Sequence, residues 1–447
     1  MTSVIAIFDI GKTNKKLFLF DERYQIVHEE TKQFDNILDE DGETCEDIVK
    51  LSIWIQITLA STLLQLDFNI KAVNFTSYGA SFVLLDENLD VCAPLYNYLK
   101  PFPENLKSAF LKQYGGERKI AVETASRFLG NLNSGLQLYA LKKQKPNIYK
   151  KIKYALHLPQ YLSFLITKNL VSDMTSIGCH TALWDFTKTD YHHWVFSEKI
   201  DALLAPIVVS DTAFEIKINE KKILIGVGLH DSSASLIPYL LTFKEPFILI
   251  STGTWCVSMN PFNSKPLTVD ELNSDCSCYL SYLARPVKAS KIFAGNEHEI
   301  QVQRISNHFA CEKDFYKDLV FETSEFIIEQ NEITKFEFNS LKSNFGERSL
   351  NGFKNEIQAY YQLIMDLVEW QFYSTNLIIK NTPIENIYID GGFSKNSIYM
   401  HTLAKKFKGI NVYAATVAQS TALGAALFFY EMVGWKNNQL IETKLIK

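Results

Sequence analysis

Two stretches of this chain, far apart in sequence, repeat one local pattern, and that repetition restricts the possible folds more than anything else. Val4–Asp9 is a short apolar run, Gly11-Lys12-Thr13-Asn14 interrupts it, and Leu17–Phe20 resumes it. Downstream, Phe247–Ile250 runs into Ser251-Thr252-Gly253-Thr254-Trp255 and continues as Cys256–Met259. Strand, glycine-containing turn, strand is a hairpin signal. Two halves that each open this way read as a duplicated α/β domain, and ligands favour the cleft between such domains. The 447 residues suit two domains of roughly 200 each. With no low-complexity linker, the expected crossing lies just after Leu240, near Lys244-Glu245-Pro246, giving domains 1–240 and 241–447.

The turns carry chemistry as well as shape. Lys12, Lys15 and Lys16 crowd the first turn beside Thr13 and Asn14, so hydroxyl, amide and ammonium donors surround a glycine. Such a set suits an anion, while Asp9 at the strand end suits a divalent cation. The plain alternative is a solvated hairpin with a charged tip.

Between the halves, Ile223–Val227 reads as a strand, and Gly228-Leu229-His230-Asp231-Ser232-Ser233 follows it. The apolar, small-residue segment Ala234–Leu241 then reads as a helix. An acid where a strand stops and a helix starts meets free backbone N–H groups and the positive end of the helix dipole. It stays ionised there and can accept a proton from a hydroxyl. The plain alternative makes Asp231 an N-cap, with Ser232 and Ser233 as competing caps.

The remaining chain supplies ordinary α/β material. Apolar periods predict helices within 42–66, 129–143, 148–167 and 353–379, with strands over 73–76, 82–86 and 387–390. Ser77-Tyr78-Gly79 breaks a strand-like region, 94–103 is a Pro- and aromatic-rich loop, and Asp173–Gly178 is a polar turn. Gly295-Asn296-Glu297-His298 turns into a helix, and the paired Gly391-Gly392 follow the third of these strands, where a ligand can approach backbone closely. Thr421–Leu427 is a small-residue helix suited to tight packing.

Composition narrows the function classes. Hydrophobic residues at 47% and charged residues at 21% are those of a globular chain. A net charge of −5 disfavours a nucleic-acid or anionic-membrane surface. No apolar run reaches the ~18 residues of a bilayer span, and Asp9 interrupts the start too early for a signal peptide. Seven cysteines with scattered spacing read as reduced thiols in the cytoplasm, and the lone Cys276-x-Cys278 lacks the second pair of a structural zinc site.

Taken in order, these segments resemble the FGGY carbohydrate kinases of the actin-like ATPase superfamily. Asp9–Lys16 is similar to the family's first phosphate loop, Gly228–Ala234 to its catalytic-aspartate segment, and Ser251–Thr254 to its second phosphate loop. Asp390–Asn396 with Thr421–Ala426 is similar to its adenosine-binding pair. The resemblance implies two ribonuclease-H-like α/β domains with an inter-domain active-site cleft, ATP and Mg²⁺ as cofactors, and a small-molecule sugar as substrate. It implies Asp231 as general base and Asp9 as a Mg²⁺ ligand. Gly11, Thr13, Asn14, Lys16, Thr252, Gly253 and Thr254 would serve the phosphates, and Gly391, Gly392, Ser394 and Asn396 the adenosine. Tyr78, Gly79, Asn97, His230 and Asn296 become sugar contacts. The segments Thr76–Asp86 and His230–Ala234 look closest to the rhamnulose and fuculose kinase branch, which points to a 6-deoxy ketose. A pentulose kinase, or a catalytically silent sugar- or nucleotide-binding relative, is the alternative; a filament-forming module is disfavoured by the His-Asp segment. No nucleic-acid or membrane partner is expected, and a homodimer is compatible with the chain. Three departures stand out: Lys12 replaces a small residue, Gln419 replaces a glutamate, and acidic or arginine contacts are missing around Tyr96-Asn97-Tyr98.

Overall fold

The computed structural model describes residues 1–218, 221–322, 339, 341–417, 419–436 and 441–446. They divide into two compact units. The first comprises Met1–Thr242 with residues 278–286 and 419–436; the second comprises residues 243–277, 287–417 and 441–446. The later segments of the first unit are returns of the chain, which a single boundary after Leu240 does not contain.

Each unit is built on a sheet of the same order. In the first, Ile26–Lys32, Lys15–Phe20 and Thr2–Ile10 form an antiparallel meander, Phe68–Ser77 and Lys221–Gly226 follow in parallel, and Ala213–Ile218 closes antiparallel. In the second, Pro286–Ile292, Cys256–Asn260 and Phe247–Thr252 form the meander, Asn386–Gly391 and Asn411–Thr416 follow in parallel, and Glu442–Leu445 closes antiparallel. This is the expected ribonuclease-H-like arrangement, present twice.

The central strands read as near-continuous apolar runs because both their faces are covered. Val4 to Phe8 are fully buried. The covering helix Ile48–Leu64 starts where Asp47 accepts the Lys50 N–H at 3.0 Å, and it buries Ile48, Leu51, Ile55 and Leu59. An N-cap of this kind typically contributes about 1 kcal/mol.

Residues 148–167 do not form the expected single helix. Tyr154–His157 is a strand paired antiparallel with Phe82–Leu85, and the helix begins afterwards at Leu158. Pro159 explains this: lacking an N–H, it fits a first helical turn and not an interior. Gly130, at φ +62°, likewise lies in a separate short turn at Gly130–Leu132, ahead of the helix Ser134–Gln144. Asp173–Gly178 is more ordered than a polar turn, because Asp173 caps the short helix Met174–Ile177.

The small-residue segment Ser420–Leu427 is a helix of the first unit, packed on Asp231–Thr242. A Cβ on Gly424 would lie 1.9 Å from the Ala234 carbonyl oxygen, so only glycine permits this approach. The segment therefore supports the helix that carries Asp231, and does not share a unit with Asp390–Asn396.

Candidate active site

Three strands of the first unit end side by side. In register, Asp9 faces Thr76, and Thr76 and Ser77 face Leu229 and His230. Ligand sites in α/β sheets form at the carboxyl ends of parallel strands, and the candidate acids lie at those ends. The Thr76 hydroxyl donates to Asp9 Oδ1 at 2.7 Å. Burial pushes the Asp9 carboxyl up to about 6, and the negative charge of Asp231 adds to the rise.

Asp231 is the first residue of its helix and keeps 37% side-chain exposure. Its two oxygens are not equivalent. Oδ1 accepts the Ser232 backbone N–H at 2.6 Å and the Ser232 hydroxyl at 3.2 Å, and lies 3.1 Å from His230 Nε2. Among the described residues Oδ2 makes no hydrogen bond. Burial raises the Asp231 pKa and the Ser232 donors oppose that rise; solvent at the exposed edge moderates the burial effect. His230 is buried, which pulls its imidazole down to about 4, so it is neutral. His230 Nε2 stands 3.1 Å from both Asp231 Oδ1 and the Cys179 thiol. Gly79 is the clearance for this ring: a Cβ there would lie 3.1 Å from Nε2.

The segment is anchored from behind. Gly228 has φ +87°, and a Cβ would meet the Pro159 carbonyl at 2.3 Å. Its N–H reaches Asn74 Oδ1 at 3.2 Å, and its carbonyl accepts Gln160 Nε2 at 2.7 Å.

The first glycine turn only partly matches expectation. Thr13 and Asn14 are exposed at the tip beside Gly11. Asn14 Oδ1 already accepts from Gln33 at 2.7 Å, and Lys16 pairs with Glu29 at 3.0 Å. Lys15 is buried and donates to the Gly11 and Lys12 carbonyls, so it shapes the loop from inside.

Sequence reasoning missed Glu46. It binds Lys15 at 2.8 Å, Lys12 at 3.1 Å and the Tyr78 hydroxyl at 2.6 Å. Lys12 also lies 5.2 Å and 5.1 Å from the ring centres of Tyr78 and Tyr98. Tyr78 is therefore committed to an internal network. Asn97 caps a turn, accepting the Leu99 N–H and donating to the Thr44 carbonyl.

In the second unit a cavity of about 500 Å³ gathers Thr252, Gly253, Thr254, Gly392 and Asn396. Asn296, expected at the sugar, lines this same cavity. His298, Glu299, Tyr316, Lys317 and Lys395 also line it and were not anticipated; side chains this far apart carry no local sequence signal. Gly391 and Ser394 build the adjoining turn. Gly391 has φ +90° with its Cβ position 2.0 Å from the Thr252 carbonyl, and the Ser394 hydroxyl donates to the Gly391 carbonyl at 2.8 Å. The Thr252 hydroxyl ties strand to turn, donating to the Asp390 carbonyl at 2.5 Å and accepting the Phe393 N–H at 3.0 Å. Asn396 caps the next helix through Tyr399 and donates to the Tyr360 hydroxyl at 2.7 Å. Tyr316 stacks on Tyr360 with centroids 4.9 Å apart. The result is an aromatic wall facing an exposed backbone turn, a combination that fits a planar base carrying an anionic tail.

Comparison with known proteins identifies the family. Residues 4–214 match the profile of the N-terminal domain of the FGGY family of carbohydrate kinases, and residues 244–438 that of the carbohydrate kinase FGGY C-terminal domain. A rhamnulokinase of Halalkalibacterium halodurans is 26% identical over 272 residues, which is 58% of this chain and 56% of that protein. The chain thus matches about half the length of the curated relatives. Crystal structures of a carbohydrate kinase from Novosphingobium aromaticivorans and a ligand-bound xylulose kinase from Lactobacillus acidophilus share the fold. The first has TM-score 0.80 and 20% identity, covering 100% of this chain and 94% of that one. The second has TM-score 0.77 and 16% identity, covering 99% and 93%. With both domain profiles matched in order across most of its length, and the same sheet built twice, this chain belongs to the FGGY family of carbohydrate kinases.

Proposed function

We propose that this chain transfers the terminal phosphate of ATP to a hydroxyl of a small sugar, with Asp231 as the general base. The observation that carries the reading is the asymmetry of that carboxylate. The Ser232 N–H and hydroxyl both donate to Oδ1 and fix its orientation, with His230 Nε2 3.1 Å away, while Oδ2, which makes no hydrogen bond among the described residues, is available to take the hydroxyl proton. Phosphoryl transfer needs alignment and charge neutralisation more than covalent chemistry, so one oriented base is sufficient on the acceptor side.

The cavity of the second unit fits the nucleotide: its size, the Tyr316 wall and the exposed Gly253-Thr254 turn match base and phosphates. Asp9 fits a divalent cation. Its carboxyl is partly desolvated next to a second carboxylate, a pairing that a cation relieves. Mg²⁺ held there would supply positive charge to the phosphates. Lys12, paired with Glu46, lies over the Tyr98 ring.

The rhamnulokinase relatives favour a 6-deoxy ketose; the xylulose kinase likeness keeps a pentulose as the second reading. A sugar panel with coupled ADP detection and mass spectrometry of products tests the proposal. Sugar-stimulated ADP release should appear with a deoxy-ketose, and Asp231→Asn should lower turnover at least ~10²-fold. Folded protein that releases no ADP with any sugar would refute it.

A further inference from the structure

A buried carboxylate lies behind the catalytic segment with no role in the chemistry so far. Asp173 is 0% exposed. Oδ1 accepts the Thr175 N–H at 2.8 Å and also the Thr175 hydroxyl, while Oδ2 accepts the Ser210 hydroxyl. Every neighbour is a donor, so the group acts purely as an acceptor. Thr175 spends its only hydroxyl proton on Asp173, which turns the oxygen lone pairs outward. That oxygen accepts the His230 backbone N–H at 3.0 Å.

We propose that Asp173 is a positioning residue, acting through the Thr175 hydroxyl to hold the His230 backbone and thereby aim the Asp231 carboxylate. The chain of contacts is continuous. Asp173 orients Thr175, Thr175 holds the His230 N–H, and the His230 ring stands 3.1 Å from Asp231 Oδ1. Cys179 Sγ, 3.1 Å from the same Nε2, restrains the ring from the other side. Without the threonine hydroxyl the His230 N–H would face an apolar methyl, and this strand end would lose its anchor. A 1 Å misplacement at a reacting group costs on the order of 10²-fold in rate, so a small backbone shift here is enough to matter.

The kinetic part rests on the kinase reading above; the spectroscopic part does not. Thr175→Val keeps the shape and removes the hydroxyl, Thr175→Ser restores it, and Asp173→Asn removes the charge. In Thr175→Val kcat should fall roughly 10- to 100-fold, and in Asp173→Asn, whose amide oxygen still accepts from Thr175, by less, with sugar KM and ADP affinity within about threefold of wild type. Thr175→Ser should recover to within a few-fold. Independently, ¹⁵N-histidine spectra, with His230→Gln giving the assignment, should show the same His230 signal in wild type and Thr175→Ser, and a displaced His230 signal in Thr175→Val. An unchanged His230 signal in Thr175→Val overturns the proposal. So does a Thr175→Val kcat within threefold of wild type, or a serine variant as impaired as valine. If Asp173→Asn fails to fold, the valine and serine pair decides. If wild type phosphorylates no sugar, the kinase reading fails by itself and the spectra alone decide this one.

Discussion

Asp9 has a consequence for stability that can be measured without any substrate. Its carboxyl is held at about 6, against 3.8 for the unhindered group, with burial as the largest cause and Asp231 adding to it. A rise of about two units corresponds to about 3 kcal/mol. Because the folded value lies above the unfolded one, the proton binds the folded state more tightly. The penalty is nearly absent at low pH, grows as pH rises from 3.8 towards 6, and is constant above that. Asp9→Asn removes the charge while its amide oxygen still accepts from Thr76. In the absence of metal and nucleotide, the variant should exceed wild type in stability by up to about 3 kcal/mol near pH 7.5, and by little near pH 4. Urea unfolding with a chelator present gives both values. Adding Mg²⁺ should then stabilise wild type and leave the variant unmoved. A variant no more stable than wild type near pH 7.5, or a gain equal at both pH values, would refute the reasoning.

Other substitutions test single contacts. Gly79→Ala pushes a methyl to 3.1 Å from His230 Nε2, so kcat should drop about tenfold with nucleotide affinity intact; unchanged kcat argues against the clearance role. In Gly295→Ala the new Cβ would lie 1.9 Å from the Gly253 carbonyl, so calorimetric ADP affinity should weaken at least roughly tenfold, and an unaltered affinity would dissociate this turn from the nucleotide. Glu46→Gln removes the countercharge of buried Lys15, which keeps only the Gly11 and Lys12 carbonyls and a neutral amide; unfolding should show a loss of about 3 kcal/mol, and a loss below about 1 would mean water already reaches that pair.

How much was legible in the sequence follows the range of the interactions. The hairpins, the strand-to-helix position of Asp231 and the doubled architecture depend on neighbours in sequence, and they read correctly. The pairing of Lys16 with Glu29 was not legible, because the two become close only when the second and third strands pair. The bond from the Tyr78 hydroxyl to Glu46 was not legible, because Glu46 lies far off in sequence, where it bridges to Leu95. Asn296 read with the sugar; the Thr254 carbonyl accepts its backbone N–H at 3.2 Å and fixes it beside the second glycine turn instead. The helix expected over 148–167 failed on a local rule that apolar periodicity overrode, namely the place of Pro159.

The return of residues 419–436 to the first unit bears on how the protein is made. Asn74 donates to the Ala425 carbonyl as well as accepting from Gly228, so the segment leading to Asp231 leans on chain synthesised long after it. A ribosome that has released residues 1–242 has not yet supplied the helix that closes this unit's packing. Domains ordinarily mature from the N-terminus as they emerge. Here the packing of the first unit waits for chain made after the central strands of the second.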